Sequence, residues 1–227
     1  MAEEIVSKSE KGTIRIKGIG YAEQTPDLVV LSLTLTAQNK EYSAAMKIGS
    51  QQIDMLREAI IDAGLKADDL KTVNFNVRSI YEDEEYRDGK STRSRQILAG
   101  FECRHDLKIS FAFDNKKLNK AIDTIAACLS QPKISIAFTI KDTAAFNDEI
   151  LKSAAKDALR KAKILCAASN VKLGKLIDIN YSNNESVLRQ AMPLCAEYAP
   201  PNKTAFDFQP EEIKASDTVE FLWEIEQ

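Results

Sequence analysis

The sequence predicts an α+β fold: a split βαββαβ antiparallel sheet core with helices on one face, plus a long helix and two further strands. Three observations predict it. Apolar residues alternate with period 2 in segments such as 28–38 and 97–113, as strands with one wet face require. Between such segments the spacing switches to 4-3-4-3, the one-sided stripe of a helix. The segments then succeed one another as β-β-α-β-β-α-β-α-β-β, and the middle of that order, 28–140, reads βαββαβ.

Residues 13–17 alternate, with Ile14 and Ile16 on one side, and form the first short strand. Gly18 and Gly20 follow as a strand end that needs flexible backbone. After Pro26-Asp27 the strand 28–38 sets Val29, Leu31, Leu33, Leu35 and Ala37 on one face and Ser32, Thr34 and Thr36 on the other. Tyr42, Met46, Gly49, Ile53, Leu56, Ile60 and Ala63 then mark a helix over 41–63, and Gly64 is suited to the left-handed position that closes it. The strand 71–80 points Val73, Phe75 and Val77 inward.

Residues 82–95 are the most polar stretch. A solvated loop is one reading; a hairpin arm turning at Asp88-Gly89 is the favoured one. That turn sets Glu84 opposite Arg93 and Glu82 opposite Arg95, opposite-charge pairs worth about 0.2–1 kcal/mol each. In 97–113 every odd position is apolar or nearly so. Seventeen residues span roughly 56 Å at the usual rise, so this strand must bend, bulge or outrun the body of the domain, with Gly100 as the bend. Leu118, Ile122, Ile125 and Leu129 mark a helix ending before Pro132, and Ile134, Ile136, Phe138 and Ile140 the next strand. The longest helix, 142–170, carries the stripe Leu151, Ala155, Ala158, Ala162, Leu165, Ser169, with Phe146 and Ala154 alongside. Asp148–Lys152 and Asp157–Lys161 support it as i,i+4 pairs. Strands at 175–181 and 218–226 close the pattern. Between them 183–215 holds Pro193, Pro200, Pro201 and Pro210, an excursion of a length that suits an interaction loop. The organisation is a flexible segment 1–12, a core 13–141 that includes the preceding strand, and 142–227, read as one continuous domain.

The chain has 227 residues, 31 basic against 34 acidic, and a single histidine, His105. The net charge of −3 implies no basic footprint, so nucleic acid is not an expected partner. One histidine excludes HExxH and three-His metal centres within the chain. Cys103, Cys128, Cys166 and Cys195 form no CxxC pair, which removes zinc ribbons and thioredoxin-like motifs. The even count permits two disulfides, but Cys103, Cys128 and Cys166 sit among apolar neighbours, so buried free thiols are the favoured reading, and these favour a reducing compartment. Residues 1–12 lack the apolar stretch of a signal peptide, and no apolar run is long enough for a membrane span. The expected location is therefore cytoplasmic as the sequence stands, and periplasmic or secreted if a leader has been trimmed.

The search for reaction chemistry finds no site. Gly18-Ile-Gly20 begins like GxGxxG, but Glu23 occupies the third glycine's place and Pro26 stands where a helix should open. There is no GxxxxGK[ST] and no GxSxG. His105 reads as a buried or interfacial histidine bonded to a neighbour. Its proximity to Cys103 is the automatic consequence of i,i+2 placement on one strand face. Asp68-Asp69 fits a turn before a strand, and Glu82–Glu85 a solvated charge run. No catalytic, cofactor-binding or metal-ligating residue is assigned.

The pattern resembles the SIMPL-domain family. The resemblance rests on IKGIG at 16–20, TPD at 25–27, AGLKADDLKT at 63–72, Gly100-Phe101 opening the long strand, ISIAF at 134–138, the alanine- and lysine-rich helix at 154–168, and LGKLID at 173–178. It covers about 13–226, and the 183–215 excursion does not align. It implies an α+β fold, large homo-oligomers, links to stress protection and, in animal members, signalling complexes; it transfers no catalytic residue. The expected function is that of a non-enzymatic, oligomer-forming protein, with the overlong strand and the charged arm as assembly features and a protein partner as a further possibility. The alternative is a small-ligand or peptide binding module using the 183–215 loop, beside Tyr198 and Phe206.

Overall fold

The computed structural model describes residues 12–88, 91–182, 194–195 and 206–226. The chain divides into two compact units, one drawn from Pro26–Thr139 with Gln190–Glu211, the other from Met1–Thr25, Ile140–Arg189 and Glu212–Gln227.

The first unit is the predicted βαββαβ core. Strand β2 (Leu28–Asn39) is central and pairs antiparallel with β4 (Ser91–Ala112) on one side and β5 (Lys133–Thr139) on the other. Strand β3 (Lys71–Asp88) lies outside β4, and a two-residue strand, Leu194–Cys195, pairs with β5 at the opposite edge. Helices α1 (Tyr42–Asp62) and α2 (Asn115–Ala126) contribute to the core of one face. There the alternation works as the sequence requires: Val29, Leu31, Leu33, Leu35, Leu107, Ile109, Ile136 and Phe138 bury against Leu56, Ile60, Leu118, Ala121 and Ile125. Gly64 closes α1 at φ +84, where a side chain would be strained. The Asp114 carboxylate accepts from Lys117 N at 2.7 Å and caps α2. Two asparagines one turn apart on α2 hold the chain at 206–208. Asn119 accepts from Phe206 N and donates to Phe206 O, both at 2.7 Å, and Asn115 treats Phe208 the same way at 3.1 and 3.0 Å. This seats Phe208 against Phe138.

Several expectations are corrected. Of Val73, Phe75 and Val77, Val77 packs inward, partly buried against Ala37, Ala45 and Cys103, and the other two do not. β3 is the outermost strand, Phe75 is exposed, and Val73 is 64% exposed at a bulge between Thr72 and Asn74. α2 ends at Ala126, so Leu129 lies beyond it and is 87% exposed. The first strand, grouped by sequence with the core, pairs instead with the last strand of the other unit.

That other unit is a three-stranded antiparallel sheet, β1 (Gly12–Gln24), β8 (Ile213–Glu226) and β6 (Lys172–Asn180), with β8 in the middle. Helix α3 (Thr143–Ala168) packs on it, capped by Asp142, whose carboxylate accepts from Ala145 N at 2.9 Å. β1 runs straight through Gly18 and Gly20, so these are not a flexible strand end. A Cβ at Gly18 would stand 2.1 Å from Ala154 O, and one at Gly20 would stand 1.9 Å from Ile150 O. The glycines are there because the helix backbone lies against the strand. For the same reason the buried stripe of α3 is Phe146, Ile150, Ala154, Ala158, Ala162 and Cys166. The predicted stripe members Ala155, Leu165 and Ser169 are exposed. Small residues face the strand because only they permit this approach. The hydrophobic cluster here is Ile16, Ala154, Ala158, Ala162, Val219, Phe221 and Trp223.

Side chains of α3 also cover the free edge of β1. Asp157 accepts from Ile19 N at 3.0 Å, Ser153 accepts from Tyr21 N at 3.3 Å, and Lys161 donates to Lys17 O at 3.2 Å. The predicted Asp157–Lys161 pair forms at 2.7 Å, and Arg160 adds a second cation at 2.7 Å.

Candidate functional site

β3 and β4 outrun the rest of their sheet. The last residue of β2, Asn39, pairs with Phe101, so the segments 81–88 and 91–98 continue as a two-stranded ribbon with no third strand among the described residues. The polar stretch 82–95 is thus a hairpin arm. Its root is at Gly100, where a register shift falls between Ile80 and Tyr81 and leaves Ala99 unpaired. A Cβ at Gly100 would meet Asn39 O at 2.6 Å, so the bend needs glycine, as expected. The register differs from the expected one by two residues. Asp88 pairs with Ser91, which makes 89–90, outside the described residues, the connection; Glu84 faces Arg95 and Glu82 faces Ile97. Opposite charges still meet: the Arg95 guanidinium donates to Glu84 at 2.8 Å from Nε and stands 5.4 Å over the Tyr86 ring. The arm carries apolar surface on both faces. Tyr81 and Leu98 pair across it at 59% and 53% exposure, and Ile97 and Tyr86 are exposed on the other face. Aromatic and aliphatic side chains on a solvated two-stranded ribbon are unusual for a chain that works alone.

The sheet face away from the helices is polar. Even positions of β3 and β4 place Asn74, Asn76, Arg78, Glu102, Arg104 and Asp106 around a depression of about 270 Å³. Glu102 is 8% exposed, accepts from Gln38 Nε2 at 2.8 Å and from Arg78 Nε at 2.8 Å. The Gln38 hydrogen bond holds its pKa below the ordinary carboxylate value, against the upward pull of burial. Burial also pulls Asp106 upward, but the Thr34 hydroxyl at 2.7 Å and Arg104 at 3.1 Å outweigh it and leave the pKa lowered. Each acid here is paired with an arginine, Glu102 with Arg78 and Asp106 with Arg104. The sequence reading missed this network. Its signal was the polar half of the alternation, but cross-strand register is needed to bring the residues together.

His105 and Cys103 lie on the inward face of β4. His105 is half-buried, with Nε2 2.9 Å from Thr72 Oγ1 and its ring edge-on to Phe75; burial lowers its pKa. Cys103 is buried beneath Gly49 of α1, where an added Cβ would come within 2.9 Å of the sulfur. Burial raises the Cys103 thiol pKa, opposite to what an activated nucleophile needs. Cys103, Cys128 and Cys166 are free thiols, and Cys128 is only half-buried, beside Ser130 Oγ at 3.1 Å. The Cys195 side chain and Tyr198 lie outside the described residues. Asp68-Asp69 sits in a short 3-10 turn, Ala67–Asp69, directly before β3, as expected. Among the described residues no group of three or more His, Cys, Asp or Glu is placed to hold a metal. No described helix is long and apolar enough to cross a membrane. A second depression, about 530 Å³, lies beside Phe206 and Asp207 and is lined by Asn115, Asn119 and Asp123 of α2.

Comparison with known proteins adds the following. The model of the SIMPL family, described as a protein of unknown function (DUF541), matches residues 14–223. A 26 kDa periplasmic immunogenic protein of Brucella melitensis biotype 1 is 24% identical over 179 residues, covering 79% of this chain and 70% of that protein. The protein of the same name from Brucella abortus strain S19 is 24% identical over the same shares.

Proposed function

The chain belongs to the SIMPL family, and from that premise we propose that it is a non-enzymatic, oligomer-forming scaffold that works through its surfaces. One observation carries the reading: among the described residues the arm segments 81–88 and 91–98 have no third strand, and they expose Tyr81, Leu98, Ile97 and Tyr86. Covering such surface with a second chain removes apolar area from water at about 25 cal/mol per Å². The absence of an enzymatic role is supported by His105 and Cys103, whose surroundings tie them down rather than activate them. The test is the solution mass of the intact chain, repeated after deleting 82–95. Assembly in the first and its loss in the second is expected. A strict monomer at high concentration refutes the reading.

We place the scaffold in the periplasm, the compartment named for its two Brucella relatives, rather than in the cytoplasm expected from residues 1–12. Free thiols at Cys103 and Cys166 tolerate an oxidising compartment because both are buried. Cell fractionation decides this. A role in stress protection is part of the same reading, following the family resemblance; unchanged survival of cells lacking the protein under oxidative or heat stress counts against it. A second reading, a small-ligand module, is favoured by the depression beside Phe206. Ligand-free behaviour in a thermal-shift screen with Phe206→Ala as control argues against it.

A further inference from the structure

The two units treat their bare strand edges differently. On β1 three backbone groups of the open edge, Lys17 O, Ile19 N and Tyr21 N, are taken by Lys161, Asp157 and Ser153 of α3. This is how a protein blunts an edge that must not pair. β3 is also an outermost strand. It is eighteen residues long, contains no proline, and among the described residues no helix side chain takes a backbone group of its outer edge. Its edge is bare where the fold elsewhere shows the means to cover one.

We propose that the outer edge of β3 pairs antiparallel with β3 of a second copy of this chain, joining two sheets across a twofold axis at Ile80. This rests on the oligomeric reading above and names its interface. The register follows from the strand itself. The bulge at Val73 interrupts β3 at one end, whereas the shift between Ile80 and Tyr81 leaves its extra residue, Ala99, on β4, so β3 itself has no inserted residue from Asn74 onward. From there to Tyr86 the strand is centred on Ile80. Side chains directly opposite must share a sheet face, which fixes the parity. Axes at Arg78 or at any of 82–85 would set like charges against themselves, a destabilising arrangement. An axis at Ile80 instead sets Arg78 against Glu82 of the partner subunit and does so twice. It also sets Ser79 against Tyr81 of the partner subunit and Phe75 against Glu85 of the partner subunit, and no like charges meet. Arg78 is well placed for this: its side chain is 68% exposed while it already binds Glu102, and both Arg78 and Glu82 lie on the polar face. Glu82 has no ion pair within its own described chain, so the partner's arginine completes it. The pairing covers Phe75 and Tyr81, the exposed aromatics of β3 nearest the arm's root.

The experiment uses the full chain with Cys128 and Cys195 replaced by serine. One preparation carries Ser79→Cys and another Tyr81→Cys; both positions are exposed. Directly opposed residues have Cα atoms about 4.5–5.5 Å apart, inside the range a disulfide spans. Under mild oxidation the mixture is expected to give a disulfide-linked dimer several-fold more abundant than either preparation alone. A second pair, Phe75→Cys with Glu85→Cys, is expected to do the same, and serves if either of the first substitutions disturbs folding. If light scattering shows assembly but neither mixture exceeds its separate components, the β3 interface is wrong while the oligomeric reading stands. If the chain is a strict monomer, both fall.

Discussion

Replacing Gly20 by alanine tests the packing of α3 on β1 with one methyl group. The added Cβ would lie 1.9 Å from Ile150 O and 2.8 Å from Ala154 N. Ordinary contact begins at 3.4 Å, so strand and helix must separate by about 1.5 Å. Neither contact is with a flexible side-chain end. Ile150 O belongs to the helical ladder, and Gly20 is held in register against Asp217 of β8. Overpacking of this kind costs about 1–3 kcal/mol, occasionally more, and an unyielding backbone places this case near 3 kcal/mol. Separation would also stretch the Tyr21 N to Ser153 Oγ and Ile19 N to Asp157 bonds that cover the β1 edge. For a chain of this length the melting midpoint should fall by roughly 6–12 °C. The assay is thermal unfolding by far-ultraviolet circular dichroism, with Ala155→Ser on the exposed side of the same helix as a control that stays within about 0.5 kcal/mol. A Gly20→Ala protein that melts within about a degree of wild type would refute the claim that backbone proximity selects the glycine.

Further outcomes follow from the same contacts. Asp157 is held well below the ordinary carboxylate pKa by the Ile19 amide, Lys161 and Arg160. Because the folded pKa is depressed, its stabilisation is present above the unfolded value, about 3.9, and is lost as pH falls below it. Asp157→Asn should therefore lower the melting midpoint at pH 7, and the gap from wild type should close as pH drops below about 4; a gap that is constant across this range contradicts the assignment. Asp114→Ala removes the 2.7 Å cap on Lys117 N and should cost about 1 kcal/mol in urea unfolding. Glu102→Ala leaves Gln38 and Arg78 without their shared acceptor and should cost about 1–3 kcal/mol. In site-resolved alkylation, Cys128 should react in the native protein, whereas buried Cys103 and Cys166 should react only once denaturant is added.

Much of the βαββαβ unit was legible in the sequence because each element buries one regular face. The alternation of 28–38 and the stripe ending at Ala63 needed no knowledge of what they pack against. Readability failed where a partner's shape decided the outcome. On α3, hydrophobicity favours Leu151 and Leu165, but the strand approaching through Gly18 and Gly20 admits only the row through Ala154, Ala158 and Ala162. The glycines and alanines were both visible; that they faced one another was not. In β3 the alternation of Val73, Phe75 and Val77 predicts burial; Val77 reaches Ala37, Ala45 and Cys103, but on this outer strand Val73 and Phe75 stay exposed. Charge segregation predicts the arm, and its register differs by two because Asp88 still pairs within the ribbon, with Ser91, instead of turning. The network of Glu102, Arg78, Gln38 and Asp106 depends wholly on cross-strand register, which no single segment records.

The central claim, that the molecule works by assembling through its surfaces, is tested most directly by sedimentation equilibrium of the intact chain over a wide dilution series. The expected mass is a whole-number multiple of one chain that falls toward the monomer only on strong dilution. A mass equal to a single chain at every concentration would contradict it.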